Sequence, residues 1–224
     1  MTAQRLILPL LLLTLLLGGC INIGDKSGGG AVVHYVLSDP AVAGAVEPAP
    51  QPPAFQATDI TGAAFARDFR LTDHNGQVRT LADFKGQIVA IFFGYTHCPD
   101  VCPTTLSDFA VALQQLGPQA ERVQVIFVTV DPERDTPELL KQFVPAFNPR
   151  FLGMSADPQT LRQLAKEFKV VYQKTSVKAA DDYLIDHSAG TYVYDSQGNL
   201  RLLMPYGSSP DAIAQDLKTL LAAS

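Results

Sequence analysis

Two thiols are separated by three residues in Gly94-Tyr95-Thr96-His97-Cys98-Pro99-Asp100-Val101-Cys102-Pro103-Thr104. Sulfurs at that spacing can cycle between dithiol and disulfide, or hold a soft metal ion as thiolates. Pro103 suits the first position of a helix, where a missing N–H costs nothing, which puts Cys98 on a loop and Cys102 at a helix start. The field at a helix N-terminus, with few apolar walls around it, then favours thiolate over thiol at both sulfurs. A purely stabilising disulfide is the plain alternative. It is weak here, because closing so short a loop constrains the unfolded chain little.

A third donor would separate the redox reading from the metal reading, and the chain offers His34, His74, His97 and His187. His34 lies in a tether and His74 in a hairpin turn, where a solvated histidine is the ordinary expectation. His97 adjoins Cys98, and neighbouring side chains diverge. His187 sits in Tyr183-Leu184-Ile185-Asp186-His187-Ser188, on the approach to a late strand. A sheet covered on both faces can bring such a loop over the dithiol, but these residues alone leave both chemistries open.

The elements that must position these groups are legible in the periodicity. Phe69 to Thr72 and Gln77 to Thr80 flank Asn75-Gly76, a strong hairpin signal. Gln87 to Phe93 and Val123 to Val130 are continuous apolar runs of buried-strand type. Between them Leu106, Phe109, Ala110, Leu113 and Leu116 recur at helical spacing and stop at Gly117-Pro118. Helical spacing returns at Leu139 to Val144, Leu161 to Phe168 and Ile213 to Leu221, and strands are predicted at Val170 to Gln173, Thr191 to Tyr194 and Leu200 to Met204. The order implies an α/β fold, a mixed sheet with helices on both faces. In such sheets reactive groups collect where parallel strands end and helices begin, just after Phe93 and just after Val130.

Ahead of this domain, residues 1–19 read as a lipoprotein signal peptide: one charge, Arg5, precedes an apolar run from Leu6 to Leu17 that is too short to span a bilayer and contains Pro9. Leu17-Gly18-Gly19-Cys20 is similar to a bacterial lipobox, which makes Cys20 the lipidated residue. Residues 20–56, small and proline-rich, read as a flexible tether, and 57–224 as the functional domain. The expected location is the bacterial cell envelope, with the domain lipid-anchored on the outer, periplasmic side of the cytoplasmic membrane. Seventeen Lys plus Arg against 22 Asp plus Glu, with no basic cluster, exclude a phosphate backbone as partner, so no nucleic acid is expected.

The span from about Asp59 to Leu221 resembles the Sco/SenC family of copper-binding, thioredoxin-like proteins. The resemblance is carried by Asp59-Ile60-Thr61-Gly62, the dithiol segment, Asp131-Pro132-Glu133-Arg134-Asp135-Thr136-Pro137 and Asp186-His187-Ser188. It implies a thioredoxin-like mixed sheet flanked by helices with an added β-hairpin. It also implies copper, as Cu(I) or Cu(II), on Cys98, Cys102 and His187. The partners it implies are the copper-centre subunit of cytochrome c oxidase and a copper donor protein. The family's action is either delivery of copper to the binuclear centre or reduction of that centre's cysteines, in which case Cys98 and Cys102 are catalytic, Cys98 attacking and Cys102 resolving. Soft thiolates suit Cu(I), and an open three-ligand edge suits a metal that is handed on.

Around that ligand set, Asp100 is expected to tune site charge, and Asp186 to orient His187 or, as its neighbour, to point elsewhere. Arg134 is expected to stabilise a thiolate or pair with Asp131 or Asp135. Asp131 to Glu138 is expected chiefly to cap the next helix. Met154, Met204, Tyr192 and Tyr194 read as core packing.

Overall fold

In this computed structural model the chain divides into two units, Met1–Ala49 and Pro50–Ser224. The structure describes residues 54–175, 179 and 182–223, all in the second. The signal sequence, Cys20, His34 and most of the tether lie outside the described residues.

Two strands made almost wholly of apolar residues form the centre. β4 (Ile88–Gly94) and β5 (Val123–Thr129) pair in parallel from Ile88 with Val123 to Gly94 with Thr129, and all but Gln124 are buried. Burial of successive residues means that both faces of the sheet are covered, as expected of strands that do not alternate. β1 (Thr58–Asp59), β2 (Arg70–Asp73), β3 (Val78–Thr80), β6 (Leu152–Ser155), β9 (Thr191–Tyr194) and β10 (Leu200–Met204) complete one sheet in the order β1-β10-β9-β4-β5-β6-β2-β3. β2 and β3 form the hairpin predicted around Asn75-Gly76, with Thr72 opposite Val78, and add it to the β6 edge. The result is the expected thioredoxin-like sheet with an extra hairpin.

Among the described residues four helices flank it: α1 (Val101–Leu116), α2 (Pro137–Phe143), α3 (Pro158–Glu167) and α4 (Pro210–Ala222). The last three share one start signal. Thr136, Asp157 and Ser209 each accept backbone N–H bonds of the first turn, and a proline follows each of them. α1 ends at Gly117, whose φ of +56° needs a residue without Cβ, as its stop signal implied.

Three strands escape the periodicity: β1 and β6 are short, and β8 (Leu184–His187) alternates buried and exposed residues over only four positions. The strand expected at Val170 to Gln173 lies at β7 (Tyr172–Thr175) and pairs with β8 in a separate two-stranded sheet. Met154, Met204, Tyr192 and Tyr194 fill the core; the two tyrosine hydroxyls donate to the carbonyls of Phe168 and Ala66.

His74 departs from its expected role. It is buried, and its Nδ1 accepts the Gly153 amide at 3.0 Å. The hairpin turn folds down onto β6, where Gly153 would otherwise leave a buried donor unpaired.

Candidate metal centre

The centre is built at the C-terminal end of β4. The Val130 amide donates to the Gly94 carbonyl at 2.8 Å, and the chain then turns through Tyr95 to Asp100 into α1. A Cβ on Gly94 would lie 2.8 Å from Cys102 Sγ, 2.8 Å from Phe127 Cε2 and 2.9 Å from Phe92 Cε1. Only glycine leaves room for that sulfur. Gly94→Ala is expected to destabilise the domain by about 1–3 kcal/mol through overpacking. Thermal melting checks this, and a variant that melts with the wild type would show that the neighbours yield freely.

Asp100 precedes the first helical residue, so Cys102 is second and Pro103 third in α1, not first as expected. None of the first-turn amides has an intrahelical partner, so proline is tolerated at the third position as at the first. Cys102 is fully buried and its amide donates to Cys98 Sγ at 3.4 Å; Cys98 is partly exposed on the loop, and both are free thiols. The expectation that the helix field favours thiolate at both sulfurs does not hold for Cys102, whose thiol is pushed up well above the ordinary range by burial. A helix terminus is worth only about 0.3–1 kcal/mol at an exposed site. Desolvation of a sulfur buried in the hydrophobic core outweighs that field.

Strand pairing brings the imidazole in. β9 runs antiparallel to β4 with Thr191 opposite Phe92, so the residues just before Thr191 arrive level with the dithiol loop. His187 ends β8 there, its Nε2 3.5 Å from Cys102 Sγ, and the donor atoms of Cys98, Cys102 and His187 all lie within 4.8 Å of one another. Among the described residues this is the one such group of His, Cys, Asp or Glu. His187 Nδ1 stands 3.0 Å from the Ser188 carbonyl, which can only accept. The proton therefore sits on Nδ1, and the Nε2 lone pair faces the sulfurs. Phe92 and Tyr95 wall the ring edge-on, centroids 6.0 and 5.9 Å away.

Burial holds the His187 imidazole below the ordinary histidine range, opposed by the Ser188 carbonyl and the Asp186 charge. Burial likewise lowers His74. Both groups bind protons better in the unfolded chain, so their contribution to stability is full above an ordinary histidine pKa of about 6.5 and is lost as pH falls through the depressed folded values. Chemical unfolding from pH 7 down to 5 is expected to show that decline, and His74→Gln to flatten it. A decline of the same steepness in His74→Gln would assign the effect elsewhere.

The loop after β5 touches both halves of the centre. Asp135, fully buried, accepts Thr96 N at 3.0 Å, Thr96 Oγ1 at 2.6 Å and Thr129 Oγ1 at 2.6 Å. It anchors the dithiol loop, and the capping expected of this segment falls to Thr136 alone. Thr96 spends its hydroxyl proton on Asp135, so it accepts from His97 Nδ1, 3.0 Å away, and the His97 side chain, 48% exposed, stays outside the cluster. Arg134 pairs with Asp131 rather than Asp135 or a sulfur, Nε to Oδ2 at 2.5 Å. Asp131 also accepts the Tyr183 hydroxyl at 2.7 Å. Asp186 is exposed and acts on His187 through its charge, the orienting hydrogen bond coming instead from Ser188. Asp100 is exposed and accepts from Thr104 Oγ1 at 3.3 Å.

Tyr95, Asp135 and Tyr183 thus shape the centre although their side chains carried no sequence signal of that role. Their one hint is that each stands inside a segment carrying a ligand or a charged cluster.

The chain is similar to known proteins over most of its length. The SCO1/SenC family model matches residues 57–222. The chain belongs to the SCO1/SenC family. Among Sco relatives, the mitochondrial SCO2 homolog of Bos taurus is 37% identical over 158 residues, 70% of this chain and 59% of that protein. The SCO2-like protein of Rickettsia felis is 36% identical over 152 residues, 67% of this chain and 74% of that one. This chain therefore spans well under two thirds of the bovine Sco protein. Of solved Sco structures, Bradyrhizobium japonicum ScoI with copper bound is 40% identical with a TM-score of 0.63, over 69% of this chain and 98% of that one. Apo Sco1 of Thermus thermophilus is 42% identical with a TM-score of 0.62, over 76% and 95%. BsSco, by its title a member of the Sco family of cytochrome c oxidase assembly proteins, is 20% identical with a TM-score of 0.58, over 75% and 100%, a likeness of fold alone.

Proposed function

We propose that this Sco-family chain binds one copper ion through Cys98, Cys102 and His187 and serves cytochrome c oxidase assembly by passing that ion to the oxidase's copper-centre subunit. The observation that carries the reading is the Cys98, Cys102 and His187 donor cluster, all within 4.8 Å. Its chemistry fits: thiolates select Cu(I), an added imidazole also suits Cu(II), and among the described residues no fourth Cys, His, Asp or Glu joins the trio as a structural zinc site would want. The B. japonicum relative with copper bound supports the same cargo. Three ligands leave an edge at which an incoming donor can compete, so copper can move from a donor protein to this chain and on to the oxidase.

A lipid on Cys20 would hold the domain at the outer face of the cytoplasmic membrane. No helix among the described residues is long and apolar enough to cross a membrane. Native mass spectrometry of the reduced soluble domain is expected to show one added copper, lost when the thiols are alkylated. Equal copper retention after alkylation would overturn the assignment.

One asymmetry favours a second reading, a thiol–disulfide oxidoreductase. Cys98 is partly exposed and Cys102 buried, as in an attacking and a resolving thiol. The two cysteines would pass two electrons and two protons to a disulfide in the oxidase subunit and end as a disulfide themselves. Metal-free protein is then expected to reduce a disulfide-bonded copper-centre peptide, and rates unaffected by Cys98→Ser would exclude this activity.

A further inference from the structure

The strand that carries His187 is outside the main sheet, so the ladder that fixes Cys98 and Cys102 does not fix the imidazole. Its position depends on β7, where Tyr172 lies opposite His187, and on what grips β8 at either end. After the histidine, the Ser188 amide donates to the Val171 carbonyl at 2.9 Å and Ser188 Oγ accepts the Val171 amide at 3.0 Å. Within the strand, the Ile185 amide donates to the Tyr95 hydroxyl at 3.2 Å, tying β8 to the dithiol loop.

Before the strand stands Tyr183, 4% exposed, held by Asp131 and Arg134 at three points and with the Lys174 ammonium 4.3 Å from its ring centroid. Its hydroxyl donates to Asp131 Oδ1 at 2.7 Å, its carbonyl accepts Arg134 Nη1 at 3.1 Å, and the Arg134 guanidinium carbon lies 3.5 Å from its ring centroid. Arg134 closes the set through Nε on the other Asp131 oxygen. Such partly buried ion pairs add little net stability over apolar packing of the same volume. What this cluster adds is direction: two charged groups, fixed to the end of β5 beside the sulfurs, grip one tyrosine at its phenol, ring and backbone. Asp135 of the same loop holds the dithiol segment, so one five-residue stretch, 131–135, sets sulfurs and imidazole against each other.

We propose that Tyr183, gripped by Asp131 and Arg134, is the positioning residue that keeps His187 within bonding reach of the two sulfurs, and that it acts on the metal only through the imidazole. The proposal rests on the copper reading and extends it to residues without a metal-binding atom at the site. Removal of groups that orient a metal-bound histidine typically weakens binding by roughly 10–100-fold.

A double-mutant cycle on the reduced soluble domain, read as Cu(I) affinity against a competing chelator, tests it. Tyr183→Phe keeps the ring and its stacking and loses the hydroxyl that donates to Asp131; it is expected to weaken Cu(I) binding by about 10-fold in the wild-type background and not at all beside His187→Ala. Asp131→Asn, which keeps an acceptor but loses the charge that Arg134 pairs with, is expected to behave alike and serves if Tyr183→Phe folds poorly. Equal weakening with and without His187 would mean a general structural role and overturn the proposal. So would an unchanged affinity in the wild-type background, while the copper reading stands. If His187→Ala itself leaves affinity unchanged, both readings fall together.

Discussion

His187→Ala is expected to lower the Cu(I) affinity of the reduced domain by ~100-fold or more, since loss of even a group that merely orients a ligand costs roughly 10–100-fold. Its effect on folding should be small, because the ring is only partly buried and contributes edge contacts to Phe92 and Tyr95. Cys98→Ser and Cys102→Ser should bind copper still more weakly, since a serine hydroxyl is a hard and poorly ionised substitute for a soft thiolate. The measurement is an anaerobic Cu(I) titration against a chelator of known affinity. Wild-type affinity in all three variants would remove Cys98, Cys102 and His187 as ligands.

Asp135→Ala should produce the largest loss of stability among changes that touch no ligand. The side chain is 1% exposed and receives three hydrogen bonds, from Thr96 N, Thr96 Oγ1 and Thr129 Oγ1. Alanine leaves those donors facing a dry cavity, at about 1–3 kcal/mol for each that finds no water, so a total near 3 kcal/mol is expected. For a domain of this size that corresponds to a fall in Tm of about 6–12 °C. Because Thr96 lies two residues before Cys98, the same change should loosen the sulfur pair. Asp135→Asn, which keeps one acceptor oxygen, should recover part of both. A Tm for Asp135→Ala within a degree of wild type would show that the carboxylate does not brace the loop.

Much of this was legible along the chain. β4 and β5 announce themselves as unbroken apolar runs because a strand buried on both faces has no polar side, and the hairpin at Asn75-Gly76 because its turn demands positive φ, found at Gly76. The dithiol follows from the strand, loop and helix order. β6 and β8 were not legible: four residues give too few periods to separate a strand from a loop, and their existence depends on β5 and β7 beside them. The state of Cys102 was misjudged for a related reason. A helix N-terminus can be seen in sequence, whereas the core that buries the sulfur is assembled from distant elements and meets it only on folding.

The residue types and their local spacing determined the fold class, the paired sulfurs and the short set of histidines that could join them, because periodicity, caps and turn chemistry act within a few residues of one another. Folding alone decided which histidine arrives, which nitrogen it presents and which carboxylates hold the two halves of the centre in register. The first outcome begins with β9 lying antiparallel beside β4, a pairing between residues about a hundred positions apart that no local pattern encodes; the others rest on the Ser188 carbonyl and on Asp131 and Asp135, which meet the centre only on folding.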